Sequence, residues 1–212
     1  MLRFLTALAL GLVPALARAD DRAGDFDYYV MSLSWSPNWC LLEGDDRGSP
    51  ECDGSRNLGW VLHGLWPQYD DGGWPQDCLS QYPAPSRQMT AEMEDIMGAS
   101  GLAWYQWNKH GACSGLRAGE LFDLAREAYG SVAFPQVLDN LTRPVDLPAS
   151  LVEEAFLRDN PDLSREEITV TCKSGMIQEV RICLSTDLEP RRCGPDVIRD
   201  CTLDDAGFDP IR

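Results

Sequence analysis

Eight cysteines constrain this chain more than any other feature. Cys40, Cys52, Cys78, Cys113, Cys172, Cys183, Cys193 and Cys201 all follow an amino-terminal stretch, MLRFLTALALGLVPALARAD, that has the parts of a secretory signal. Arg3 supplies the positive end, Phe4 to Leu16 the apolar run, and Ala17-Arg18-Ala19 the cleavage signal. Pro14 interrupts the run, which falls short of the roughly 20 residues a bilayer span needs. Residues 1–19 are therefore expected to be removed as a signal peptide. The remaining 20–212 form a soluble, secreted or periplasmic chain the size of one domain. An even cysteine count behind such a leader predicts four disulfides made in an oxidising compartment, with their pairing left open by counting alone. Zinc is the rival use of cysteine. No C-x-x-C pair occurs and neither histidine has ligand spacing, so no metal and no cofactor is expected.

The order of hydrophobic periods predicts the fold class. Phe26 to Trp35 alternates, with Tyr29, Met31, Leu33 and Trp35 on one face, as a strand does. Leu58 to Leu65 reads as a second, more buried strand stopped by Pro67. Gly- and Asp-rich loops at 43–57 and 70–85 carry Cys52 and Cys78. Helices are predicted from an N-cap at Thr90, over Leu102 to His110 closed by Gly111, from Gly119 to about Tyr129, and from Ser150 to Arg158. Ile168, Val170 and Cys172 alternate, Ser174-Gly175 turns, and Gln178, Val180, Ile182 and Leu184 alternate again, which describes a hairpin. Strands, then helices, then strands give an α+β domain with a mainly antiparallel sheet.

Two histidines and two lysines make a short list of chemical groups. His63 and His110 are each followed by glycine and flanked by tryptophan. On a helix, Gln106, Lys109 and His110 share one sector, with Trp104 and Trp107 expected to face the core. His63 shares a strand face with Val61 and Leu65, where an imidazole needs a partner. The helix C-terminus is expected to favour protonated His110 and Lys109. Two imidazoles plus a fixed cation suit cleavage of a phosphodiester by a neighbouring 2'-hydroxyl: one ring is base, the other acid, and the cation meets the charge on the phosphorane. The ribose brings its own nucleophile, so the reaction needs neither metal nor covalent intermediate.

Trp60-Val61-Leu62-His63-Gly64-Leu65-Trp66-Pro67 and the run from Leu102 to Cys113, LAWYQWNKHGAC, resemble the two active-site signatures of the ribonuclease T2 family of secreted endoribonucleases. The resemblance extends over essentially all of 20–212. It implies His63 as general acid to the leaving oxygen, His110 as general base, Lys109 stabilising the phosphorane and Trp66 stacking a base; from their own chemistry, Gln106 joins the catalytic group through its hydrogen-bonding amide and Tyr105 can offer a hydroxyl to phosphate. It also implies a 2',3'-cyclic phosphate intermediate and the disulfides Cys78–Cys113 and Cys172–Cys201, after which Cys183–Cys193 and Cys40–Cys52 are inferred by exclusion. Many members carry His-Glu where this chain has Tyr105-Gln106, and an acid where it has Gln68. The first difference lowers the expected rate and the second obscures base preference.

Other readings compete. A histidine among apolar side chains is commonly a satisfied core residue, and Trp66 could serve the core as well as a base. Tyr69 and Trp74 are lesser candidates for a base pocket. The pairs Asp45-Asp46, Asp70-Asp71 and Asp204-Asp205 lack a calcium-loop register and fit turns; Asn140-Leu141-Thr142 matches a glycosylation acceptor. Eighteen basic against 34 acidic residues give a net charge of -16, and loss of Arg3 and Arg18 would make it -18. Such a surface excludes capture of nucleic acid by a broad basic groove. Single-stranded RNA is the expected partner, held locally and in a salt-sensitive way by a monomer, with an acid-to-neutral optimum and no membrane association. The alternative is a secreted RNA-binding or inhibitory protein on the same scaffold, silenced by Tyr105 and Gln106.

Overall fold

The computed structural model describes residues 22–212; the expected leader at 1–19 lies outside them. Six strands form one sheet: β1 (Tyr28–Trp35), β2 (Trp60–Gln68), β3 (Val145–Leu147), β4 (Ile168–Lys173), β5 (Met176–Leu184) and β6 (Ala206–Phe208). Among the described residues seven α-helices accompany it: α1 (Ser36–Trp39), α2 (Arg87–Glu92), α3 (Glu94–Met97), α4 (Ser100–Lys109), α5 (Ala118–Gly130), α6 (Gln136–Asp139) and α7 (Ala149–Asp159). This is the expected α+β class. The four long strands run β2-β1-β5-β4, antiparallel throughout. The short strands β3 and β6, too brief to show a period in sequence, extend the sheet from the start of β5. Among the described residues no helix is long and apolar enough to cross a membrane.

One sheet face buries Met31, Leu33, Trp35, Trp60, Leu62, Leu65, Val180 and Ile182 in the main core. Helices α3 and α5 lie against β2, and α7 against β4. The other face holds a small apolar cluster of Tyr28, Val30, Cys183 and Val197 beside a polar stretch. The four disulfides are Cys40–Cys52, Cys78–Cys113, Cys172–Cys201 and Cys183–Cys193, as inferred.

Several boundaries depart from expectation. β2 does not stop at Pro67, which pairs with Tyr29. As the edge strand, β2 can hold a residue without an N–H where no neighbour asks for one. Thr90 is not an N-cap: Ser86 caps α2 through its hydroxyl, which accepts from the Met89 N–H at 3.2 Å, and Thr90 is buried one turn in. The predicted second helix begins at Ser100 and ends at Lys109, leaving His110 as its C-cap.

The backbone carries two irregularities that matter for chemistry. Ser32 pairs with Gly64 and Leu33 with Leu62, so His63 is an extra residue in β2. Thr171 pairs with Glu179 and Cys172 with Ile177, so Gln178 is an extra residue in β5. A bulge re-aims the side chains beside it, because every later residue switches face.

Candidate active site

The bulge at His63 explains how the first signature works. In a regular strand His63 and Trp66, three apart, would point to opposite faces. The extra residue instead puts Val61, His63 and Trp66 on the open face and turns Leu65 into the core, correcting the expectation that Leu65 shares the face of His63. Gly64 leaves the space this needs: a Cβ there would lie 2.3 Å from Trp66 Nε1 and 3.0 Å from Gln106 Oε1.

The second signature arrives on α4, which runs beside β2 with Ala103 and Trp107 buried in the core. Trp104 does not face the core; it is 52% exposed, since Trp107 and Ala103 already occupy the inward positions. Tyr105, Gln106, Lys109 and His110 face a cleft of about 370 Å³. Across it stand His63, Trp66 and Gln68 from β2 and Gln178, Glu179 and Arg181 from β5. The loop after β2 closes one side, contributing Trp74. That loop is tied to the end of α4 by the Cys78–Cys113 bond and by the Asp77 N–H donating to the Lys109 carbonyl at 2.7 Å.

The Trp66 ring centroid lies 5.3 Å from that of each imidazole, so the histidine rings are no farther apart than twice that. Its indole N–H donates to Gln106 Oε1 at 2.8 Å. The Gln106 carbonyl oxygen is thereby committed to Trp66, leaving its amide hydrogens. The Arg181 guanidinium lies 5.6 Å from the Trp66 ring on the cleft side, and Lys109 Nζ lies 5.8 Å from the Tyr105 ring. Tyr69 does not line the cleft. His63 and Tyr105 also border a second hollow of about 520 Å³, together with Ser34, Trp39, Arg47, Glu51 and Leu102.

The two histidines live in opposite electrostatic settings. His110 is 7% exposed. Burial, then the Lys109 and His63 charges, take its pKa from 6.5 down to about 4, against a weaker upward pull from the Pro75 carbonyl. The expectation that the helix end favours protonated His110 is thereby overturned, because desolvation and two nearby cations outweigh half a dipole charge. His63 has an anionic partner instead. Its Nδ1 is 2.6 Å from Glu179 Oε1, while Glu179 Oε2 accepts from Arg181 Nε at 2.9 Å and Nη2 at 2.6 Å. Burial alone pushes the Glu179 carboxyl up, yet the hydrogen bond and charge of His63, with the Arg181 charge, overcome it and hold the group at about 2.

Glu179 and Arg181 were not among the residues singled out from the sequence. Their signal was present: two opposite charges two apart on a strand whose other face is apolar, which in a central strand means a built polar site.

The model of the Ribonuclease T2 family matches residues 26–193. The chain belongs to the ribonuclease T2 family. It is 39% identical over 130 residues to a ribonuclease of Aeromonas hydrophila, covering 60% of this chain and 57% of that one. It is 31% identical over 120 residues to a probable ribonuclease of Haemophilus influenzae, covering 51% and 44%. The chain thus spans about half the length of these curated relatives. Among solved structures, the RNase-related protein from Calystegia sepium superposes with a TM-score of 0.63 at 20% identity, over 87% of this chain and 97% of that one, which establishes the shared fold.

Proposed function

We propose that this ribonuclease T2 family member is an endoribonuclease that cleaves single-stranded RNA by transphosphorylation. The observation that carries the reading is the split between its two imidazoles: His110 is neutral above about pH 4, and His63 is paired with a carboxylate. Two imidazoles held in different surroundings can divide acid from base work. His110 takes the proton of the ribose 2'-hydroxyl. The 2'-oxygen forms a bond to phosphorus, and the phosphorus–O5' bond breaks. His63, held at Nδ1 by Glu179, gives the proton on Nε2 to the departing O5'. The product is a 2',3'-cyclic phosphate, which water opens by the reverse exchange of roles.

Lys109 meets the charge on the non-bridging oxygens, a contribution commonly worth ~10²–10³ in rate. Gln106, with its oxygen fixed by Trp66, offers its amide hydrogens, and Tyr105 its hydroxyl. Trp66 and Trp74 supply aromatic faces for an unstacked base, while the second hollow beyond His63 receives the leaving nucleoside. The His-to-Tyr and Glu-to-Gln differences remove a third imidazole and a carboxylate but leave the acid and base roles with His63 and His110. Four disulfides fit work outside the reducing cytosol after loss of a leader at residues 1–19.

The test is incubation with RNA in the presence of EDTA, reading the termini. The parent should give 2',3'-cyclic ends, and His63→Phe and His110→Phe should not. RNA that is bound but left intact would favour a binding protein, and activity abolished by EDTA would point to a metal-dependent hydrolase.

A further inference from the structure

Beyond the two signatures, the bonds of His63 lead away from the cleft into the sheet. β2 and β5 flank β1, about 9–10 Å apart at the usual strand spacing, so a side chain on one meets a side chain on the other only above small residues on β1. Ser32 and Ser34 are those residues: Ser34 pairs with Glu179, Ser32 with Arg181, and His63 is the extra residue opposite Ser32 and Leu33. The His63 bulge and the Gln178 bulge adjoin the two partners of one hydrogen bond. Glu179 is 2% exposed, and each carboxylate oxygen is engaged, one by His63 and the other by the Arg181 fork. A buried carboxylate with both oxygens directed is a built feature, since removing either partner would leave an uncompensated charge.

We propose that Glu179 is the positioning residue that makes His63 the acid of the reaction, and that Arg181 sets how strongly it does so. This rests on the functional reading above. Glu179 fixes the ring so that Nδ1–H points into the sheet and Nε2 toward the scissile link, and its charge favours the protonated ring. Arg181 shares the carboxylate, drawing its charge away from the imidazolium. The other charged groups around His63 are His110 and Lys109 from the end of α4 and Glu51 from the Cys40–Cys52 loop, with Arg47 bordering the second hollow. None of these makes a hydrogen bond to its ring, so Glu179 is its specific anchor.

The sign of the charge gives a test that misfolding cannot mimic. The NMR titration of the His63 ring and the pH profile of kcat/KM on a ribodinucleotide are measured for the parent, Glu179→Gln, Glu179→Asp and Arg181→Gln. In Glu179→Gln the titration midpoint and the alkaline limb both move to lower pH, and kcat falls about 10²-fold with KM little changed, as for loss of general acid catalysis. Arg181→Gln moves both the opposite way. Glu179→Asp recovers part of the loss. Should Glu179→Gln not fold, the upward movement in Arg181→Gln carries the test alone. Midpoints that stay together across the folded variants, or that move in the same direction in both, overturn the proposal. A parent that makes no cyclic ends refutes the enzymatic reading instead, and the NMR titration still decides the role of Glu179.

Discussion

Replacing Lys109 by methionine separates two jobs that the geometry gives one side chain. Burial is the leading reason that the His110 pKa falls from 6.5 to about 4, and the Lys109 charge is the second. A displacement of that size corresponds to about 3 kcal/mol against the protonated ring. In the parent, kcat/KM should rise with pH through about 4 as free His110 becomes a base. In Lys109→Met the acid limb should move up but stop well short of 6.5, because burial and the His63 charge remain. The plateau should drop by about 10²-fold through loss of charge stabilisation at the phosphorane. The assay is kcat/KM on a ribodinucleotide from about pH 3 to 8 at constant ionic strength, with a thermal melt at each pH. The melts carry an independent sign. Between 6.5 and 4 the unfolded chain binds a proton at His110 that the folded chain refuses, so stability falls as pH falls through that window, by up to about 3 kcal/mol. A parent acid limb at or above 6.5, or one that does not rise in Lys109→Met, would refute the reasoning.

Two other perturbations follow from the packing. Gly64→Ala places a methyl 2.3 Å from Trp66 Nε1; the indole must move and lose Gln106, and we expect a loss of ~1–3 kcal/mol in urea unfolding with a clear fall in kcat/KM, whereas unchanged activity would contradict the placement of Trp66. Glu51 is 5% exposed with one oxygen unpartnered, and burial raises its pKa from 4.5 to about 7. The folded chain therefore keeps a proton that the unfolded chain has lost, and stability declines as pH rises from 4.5 through 7. Glu51→Gln should gain up to about 3 kcal/mol at pH 8 and almost nothing at pH 4, and an equal effect at both would show that charge is not the cause.

The sequence was most legible where one residue type implies one physical outcome. An even count of cysteines gave four bonds, and alternating apolar residues gave β1 and the β4–β5 hairpin within a residue or two. The signatures placed His63, Trp66, Gln106, Lys109 and His110 around one cleft. Legibility ended where pairing decides. A bulge is a mismatch between two strands, so nothing within 60–68 announces that Leu65 turns inward. Glu179 lies 116 residues from His63 and shows its use only once Ser32 and Ser34 lie between them. The protonation of His110 was misjudged because helix position is visible in sequence and burial is not.

The central claim is that His63 delivers a proton to the leaving oxygen while His110 removes one from the nucleophile. A substrate whose leaving group needs no proton tests it: the 4-nitrophenyl ester of uridine 3'-phosphate set against a ribodinucleotide. We predict that His63→Gln is crippled on the dinucleotide yet turns over the nitrophenyl ester nearly as the parent does, whereas His110→Gln fails on both. Equal losses on both substrates in His63→Gln, or the reverse pattern between the two variants, would contradict the account.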